Sequence, residues 1–217
     1  MISHAMEDYL KTIYLLGRNG EKVSTSALAK KLNCSAASVT NMLQKLASLK
    51  LVQYKPYQGV RLTTTGNRVA LEVLRHHRLI ELYLKEVLGY SWDKVHAEAE
   101  QLEHVISEEF EERIDKALGY PTRDPHGHPI PRKDGTVMEE NLSSLWHVNT
   151  MTNVSVVRVE DRNPSVLRYL DAMGIHPEIK LYVLEKSPFN GPILIRLNGV
   201  EHSLSEELAR QIYVRIE

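Results

Sequence analysis

Two histidines and three glutamates fall within the segment HAEAEQLEH, residues 96 to 104. Imidazole and carboxylate are ordinary side-chain ligands of divalent metals. At helical spacing His96, Glu100, Glu103 and His104 stand at i, i+4, i+7 and i+8, which places all four on one face about 100° wide and leaves Glu98 pointing elsewhere. Leu102, Val105, Ile106 and Phe110 supply much of the apolar face beside them, so the four polar groups are expected to be partly buried. Burying polar groups without partners is unfavourable, and a divalent cation is the simplest partner. Earlier in the chain His77 and Glu81 repeat the i, i+4 spacing; taken alone, such a pair is ordinarily a weak surface interaction.

Clustered His and Glu also build hydrolytic metal centres, which makes a metal-dependent hydrolase the alternative of another class. The sequence contains no H-E-x-x-H. At 100–104 it reads E-x-x-E-H, so the inverted H-x-x-E-H motif lacks its first ligand, and the paired E-x-x-H repeats of di-iron bundles are missing. No enzymatic activity and no small organic substrate are expected.

Helices must position these ligands. TGNRVALEVLRHHRLIELYLKEVLG reads as a long helix with Thr65 as its cap, and a second helix is expected from about 92 to 118. Upstream, STSALAKKLNCSAASVTNMLQKLASLKLV reads as two short helices joined by a tight turn. In the second, Ser35 is placed to cap, and Val39, Met42, Leu43 and Leu46 form an apolar stripe. The opposite face offers Ala37, Asn41, Gln44 and Ser48 with Lys45 at its edge, small and amide side chains of the kind a DNA major groove admits. LVQYKPYQGVRLTTTGNRV then gives a hairpin around 56–59 with Lys55 and Arg61 near its tip, the wing of a winged helix-turn-helix. The DNA-contacting candidates are Ser35, Ala37, Ser38, Thr40, Asn41, Gln44, Lys45, Lys55 and Arg61.

Charge divides along the same lines. The chain has 217 residues and a formal net charge of −1, yet residues 1–75 hold 11 Lys+Arg against 4 Asp+Glu and the remainder 16 against 24. A basic module suits a polyanion and an acidic one a cation. No stretch approaches the roughly 18 apolar residues that span a bilayer, and MISHAMEDYL lacks the blocks of a signal peptide, so no membrane association and a cytoplasmic location are expected. The single cysteine, Cys34, excludes an internal disulfide and agrees with a reducing compartment. It also leaves open a winged-helix regulator that answers to a thiol signal or an organic ligand.

Several motifs in order, MEDYLKTIY, the winged helix, RHHRLIELYL, KVHAEAEQLEHVIS, DPHGHPIP and LRYLDAMGI, resemble the diphtheria toxin repressor family of metal-activated transcriptional repressors, especially its manganese transport regulator branch. The resemblance spans nearly the whole chain. It implies two neighbouring metal sites per subunit, one from Asp8, Glu100, Glu103 and His104 and the other from His77, Glu81 and His96. It also implies a homodimer on a palindromic double-stranded DNA operator, controlling metal-ion homeostasis genes such as manganese uptake. Members that answer to iron carry methionine and cysteine where this chain has Asp8 and Glu100; the harder oxygen donors favour Mn(II), with Fe(II) as the alternative. Lys11 departs from manganese regulators that have a further glutamate ligand at this position.

The segment GYPTRDPHGHPIPRKDGTVM has four prolines and three glycines and is expected to be a linker or ordered loop. Its His126 and His128 are expected to be turn residues, since two ligands do not make a site. Beyond it, VSVVRV, KLYVLEK, PILIRLNG and IYVRIE are short β runs, with a helix in NPSVLRYLDAMG. LRYLDAMGIHPEIKLYV resembles the SH3-like, ferrous-transport-associated domain of longer family members, which can lend side chains to the second metal site; Asp161 and Glu160 are the candidates here. The fold expected is mainly α with small β elements: a winged helix-turn-helix DNA-binding domain over 1–63, a helical metal-binding and dimerisation domain over 64–120, a connector over 121–147, and an SH3-like β-barrel over 148–217.

Overall fold

A computed structural model describes residues 2–17, 21–138 and 140–217. The chain forms two compact units: one of Met1–His77, Leu102–Glu108 and Pro131–Val137, the other of Arg78–Gln101, Glu109–Ile130 and Met138–Glu217.

In the first unit α1 (His4–Leu16) buries Met6, Tyr9, Leu10 and Ile13, an i, i+3, i+4, i+7 stripe. The expected helix-turn-helix follows as α2 (Thr25–Lys31) and α3 (Ala36–Ser48). Each has a serine cap: Ser24 Oγ accepts from the Ala27 amide at 3.1 Å and Ser35 Oγ from the Ser38 amide at 3.1 Å. Val39, Leu43 and Leu46 of α3 join the stripe of α1 in one core, with Met42 partly buried beside them. The wing is β1 (Val52–Lys55) and β2 (Gly59–Leu62), antiparallel, with Lys55 opposite Gly59.

The long helix α4 (Thr64–Glu86) starts before the expected cap. Thr63, not Thr65, does the capping: its Oγ1 accepts from the Gly66 amide at 3.1 Å while donating to the Leu51 carbonyl at 3.0 Å. Thr63 wins because that second bond anchors it to the end of α3's turn. Gly66 is required there, since an added Cβ would lie 1.9 Å from the Leu51 oxygen.

The single helix expected over 92–118 is two, α5 (Val95–Leu102) and α6 (Glu108–Ala117). Glu103 and His104 therefore lie in the turn between them, and the expected common face with His96 and Glu100 is not formed. The physical reason is the burial of Glu103, which is 1% exposed and whose backbone carbonyl accepts from His76 Nδ1 at 3.1 Å. Leu102, Val105 and Phe110 are exposed rather than packed in a core.

In the second unit the C-terminal strands are β3 (Ser143–Ser144), β4 (Thr152–Val159), β5 (Lys180–Lys186), β6 (Ile193–Leu197), β7 (Val200–Leu204) and β8 (Ile212–Ile216). They make one antiparallel sheet in the order β3-β8-β4-β5-β6-β7. The sheet is open, with β3 and β7 as its edges, so the barrel expected of this region is not closed. Helix α7 (Pro164–Ala172) begins with proline after Asn163, whose side chain accepts from the Ser165 amide at 2.9 Å, and its Leu167 and Leu170 pack with Val154, Val183, Ile195 and Val214. A short helix α8 (Glu206–Ala209) precedes β8.

Tyr9 ties α1 to the start of α3, its hydroxyl 3.3 Å from Cys34 Sγ. Burial, reinforced by the Cys34 hydrogen bond and charge, pushes its phenol from 10.0 up to about 12. A folded pKa above the unfolded one contributes stability that is complete below the unfolded value and is lost as pH rises through the folded one. Denaturant unfolding at pH 9 and at pH 11.5 should therefore show a loss at the higher pH that is smaller in Tyr9→Phe.

Candidate metal centres

The first cluster lies within the first unit. Asp8, on α1, faces the turn after α5, where His104 Nε2 is 2.9 Å from Asp8 Oδ1 and 3.2 Å from Glu103 Oε1. The three residues offer ligand atoms within 4.8 Å of one another. His104 Nδ1 lies 2.6 Å from Glu7 Oε2 and donates its proton there, and His4 stacks on the imidazole at 5.0 Å between ring centres. With Nδ1 protonated, a neutral ring turns its Nε2 lone pair toward two carboxylate oxygens. That arrangement is repulsive until a proton or a metal cation stands between them, and the oxygen and imidazole donors suit a divalent ion.

Glu103 is the buried centre of this cluster. Its Oε1 takes a hydrogen bond from Lys11 Nζ, and Oε2 lies 2.6 Å from His77 Nδ1. Desolvation pushes its carboxyl up, but the His77 hydrogen bond and charge, with Lys11, outweigh this and hold it below the usual glutamate range. Glu7, His4 and the Lys11 contact were not found from the sequence; the i, i+4 relation of His4 to Asp8 and the adjacency of Glu7 are the only signals it offered.

The second cluster lies within the second unit. His96 Nδ1 is 3.0 Å from Glu81 Oε1 and 3.9 Å from Asp161 Oδ2. Of the two C-terminal candidates, Asp161 is here and Glu160 instead stands 3.8 Å from Arg162. Glu100, on α5, is half-exposed with Oε1 3.6 Å from His96 Nε2. His77 precedes Glu81 by one turn on α4 and meets Glu103 as described.

The connector contributes more than a turn. Asp124 Oδ1 accepts from the His126 and His128 amides at 2.8 and 2.9 Å, shaping a loop in which Gly127 has φ +89° and an added Cβ would lie 1.9 Å from the Val157 oxygen. Both histidines are nonetheless buried against acids: His126 Nδ1 is 3.9 Å from Glu81 Oε2, and His128 Nδ1 is 3.2 Å from Asp124 Oδ2 and 3.6 Å from Asp161 Oδ2. His126 Nε2 lies 3.1 Å from the Trp92 carbonyl, which can only accept, so Nε2 is the donor and Nδ1 is left facing the acids. Asp124 Oδ2, His126 Nδ1 and His128 Nδ1 are buried without a well-directed hydrogen bond among the described residues. Glu81, His126 and Asp161 form one metal-capable group and Asp124, His126 and His128 another. Desolvation pushes the Asp161 carboxyl up, yet the charges of His128, His96 and His126 bring it down to about 2; Asp124, opposed by the same burial, is lowered by His128, His126 and Arg78.

The DNA-contacting candidates lie on α3 and the wing. Ser35, Ala37, Ser38, Asn41, Gln44, Lys45, Lys55 and Arg61 are exposed, while Thr40 is partly buried with Oγ1 donating to the Ala36 carbonyl at 2.9 Å.

A winged helix beside clustered imidazoles and carboxylates is the make-up of a metal-responsive DNA-binding protein. Residues 1–60 match the iron dependent repressor N-terminal DNA binding domain, residues 63–132 the iron dependent repressor metal binding and dimerisation domain, and residues 144–216 the FeoA domain. The chain belongs to the iron-dependent repressor family. It is 33% identical to the iron-dependent repressor IdeR of Mycobacterium leprae over 96% of this chain and 95% of that one. It is 37% identical to the diphtheria toxin repressor of Corynebacterium diphtheriae over 96% and 95%. A solved structure of a manganese-dependent transcriptional repressor in complex with manganese superposes with a TM-score of 0.91 at 39% identity, covering 98% of this chain and 100% of that one.

Asp124 links the connector loop to Arg78, whose Nε lies 3.7 Å from Oδ2. Asp124→Ala should therefore destabilise the metal-free protein by about 3 kcal/mol, the order found for breaking a buried pair. Asp124→Asn, which keeps the acceptor for both histidine amides, should cost less in the same denaturant titration.

Proposed function

We propose that the chain is a metal-activated transcriptional repressor with Mn(II) as preferred effector and Fe(II) as alternative, binding a palindromic operator as a cytoplasmic homodimer and controlling metal-uptake genes. Residues 1–63 serve DNA, 64–120 metal and the dimer contact, 121–147 connect, and 148–217 form the SH3-like domain. The observation that carries the reading is His104 Nε2 facing Asp8 and Glu103, in the unit that also holds the recognition helix. Bound there, a divalent cation would supply the positive charge that His104 Nε2 and the Asp8 carboxylate turn toward, in competition with Lys11 for Glu103.

Asp8 sits on α1, whose Met6, Leu10 and Ile13 share one core with Val39, Leu43 and Leu46 of α3. Fixing Asp8 against Glu103 and His104 therefore fixes a helix packed on the recognition helix, and close-packed cores transmit such displacements. The second site is assigned to Glu81, His126 and Asp161, with His96, Asp124 and His128 around it. Asp8 and Glu103 bring only oxygen to the first site, which supports Mn(II) through ligand hardness and geometry rather than raw affinity.

The dimer reading is supported by the match to a metal binding and dimerisation domain and by the exposed Val87, Leu88, Tyr90 and Phe110 of the second unit. No helix among the described residues is long and apolar enough to cross a membrane.

Selection of genomic DNA fragments by the purified protein with Mn(II), with Fe(II) under anoxia, or with chelator tests the function. Fragments retained only with metal and sharing a palindrome are expected; equal retention in chelator would sink the metal switch. Asp8→Ala is a cleaner site variant than Glu103→Ala, which would also strand the buried Lys11 ammonium. With its side chain 44% exposed, Asp8→Ala should keep its Tm but weaken Mn(II)-dependent operator binding by about 100-fold in a fluorescence-anisotropy titration, the upper range for disturbing a metal's ligand shell.

A further inference from the structure

The first cluster already contains a cation. Lys11 lies one turn beyond Asp8 on α1, is 8% exposed, and donates from Nζ to Glu103 Oε1. An ammonium is a compact and strongly hydrated point charge, so its burial is tolerable only on a full negative charge. The oxygen it occupies is also the one 3.2 Å from His104 Nε2, in the residue that completes the donor group with Asp8. We propose that Lys11 is a resident competitor cation that sets the threshold at which Asp8, Glu103 and His104 take up metal, an inference that rests on the metal reading of this cluster.

The charges make the competition concrete. Asp8 and Glu103 together balance a divalent ion in full while Glu7 is engaged by His104 Nδ1, and the Lys11 ammonium on Glu103 then stands as a like charge beside the ion. In the metal-free cluster the same ammonium neutralises Glu103, whose other oxygen is held by His77. Lys11 therefore stabilises the empty state and repels the filled one. Both effects weaken metal binding, and both act through charge, so a side chain that keeps only the hydrogen bond does not reproduce them.

The test compares wild type with Lys11→Gln, Lys11→Met and Lys11→Arg by calorimetric titration with Mn(II), reading the binding event that His104→Ala abolishes. Lys11→Gln and Lys11→Met should bind about tenfold more tightly, the order of one like charge removed at intermediate dielectric, while Lys11→Arg keeps the weaker wild-type affinity. The neutral variants should also lose more Tm in chelator than in Mn(II). A lysine with a merely structural role would lower both Tm values equally and leave the Mn(II)-induced rise unchanged; that result, or unchanged or weaker Mn(II) affinity, overturns the proposal. Should a neutral variant unfold in chelator, recovery of its fold on adding Mn(II) supports the proposal and failure to recover overturns it. If His104→Ala leaves the Mn(II) titration of the full chain as it was, the cluster is not a metal site, a failure of the parent reading that is visible before any Lys11 variant is made.

Discussion

The burial of one carboxylate organises the first unit. Glu103 is withdrawn from water, which by itself would favour its neutral form, and yet its charge is retained because His77 and Lys11 contact its two oxygens and His104 stands beside one of them. An ionised group in that position needs cationic or donor partners from every side. The helix breaks after Leu102 so that Glu103 can turn inward, and Lys11, a residue type rarely buried, is buried to meet it.

This constraint explains where local sequence was informative and where it was not. Serine caps, a period of 3.6 and a Pro/Gly turn act within a few residues, and Ser24, Ser35, Val39, Leu43 and the wing at 56–59 stand as the pattern required. The break at 103 depends on Lys11 and His77, which lie 92 and 26 residues away in sequence. Helical spacing from His96 through to His104 was sound arithmetic applied to a helix that long-range charge pairing ends early. The cap lies at Thr63 for a related reason, because its bond to the Leu51 carbonyl reaches 12 residues back along the chain.

His126 and His128 show what counting ligands within one segment leaves out. Within the connector they are two ligands beside glycine and proline, which describes a turn, and Asp124 does build that turn. The remaining donors, Glu81 and Asp161, arrive from a helix on one side and the end of β4 on the other. Asp161 could be singled out only through resemblance, and its preference over Glu160 is set by which of two adjacent side chains leaves the strand toward the histidines.

The same device operates in each unit. One ring nitrogen of a histidine is committed as a donor, His104 Nδ1 to Glu7 and His126 Nε2 to the Trp92 carbonyl, so the other nitrogen is left facing acidic oxygens. Such a nitrogen facing acidic oxygens needs a proton or a cation between them, and a protein built only for stability would replace the ring with a better-matched or apolar group. The mismatch makes sense if the cluster is meant to be completed from outside. A ligand that binds only the completed arrangement stabilises it by mass action, in proportion to its concentration. In the first unit that arrangement includes Asp8 on α1, which shares a core with the recognition helix. Under the proposed function, free metal concentration would thereby weight the geometry of the DNA-reading face, and the unfavourable electrostatics of the cluster would give that weight its leverage.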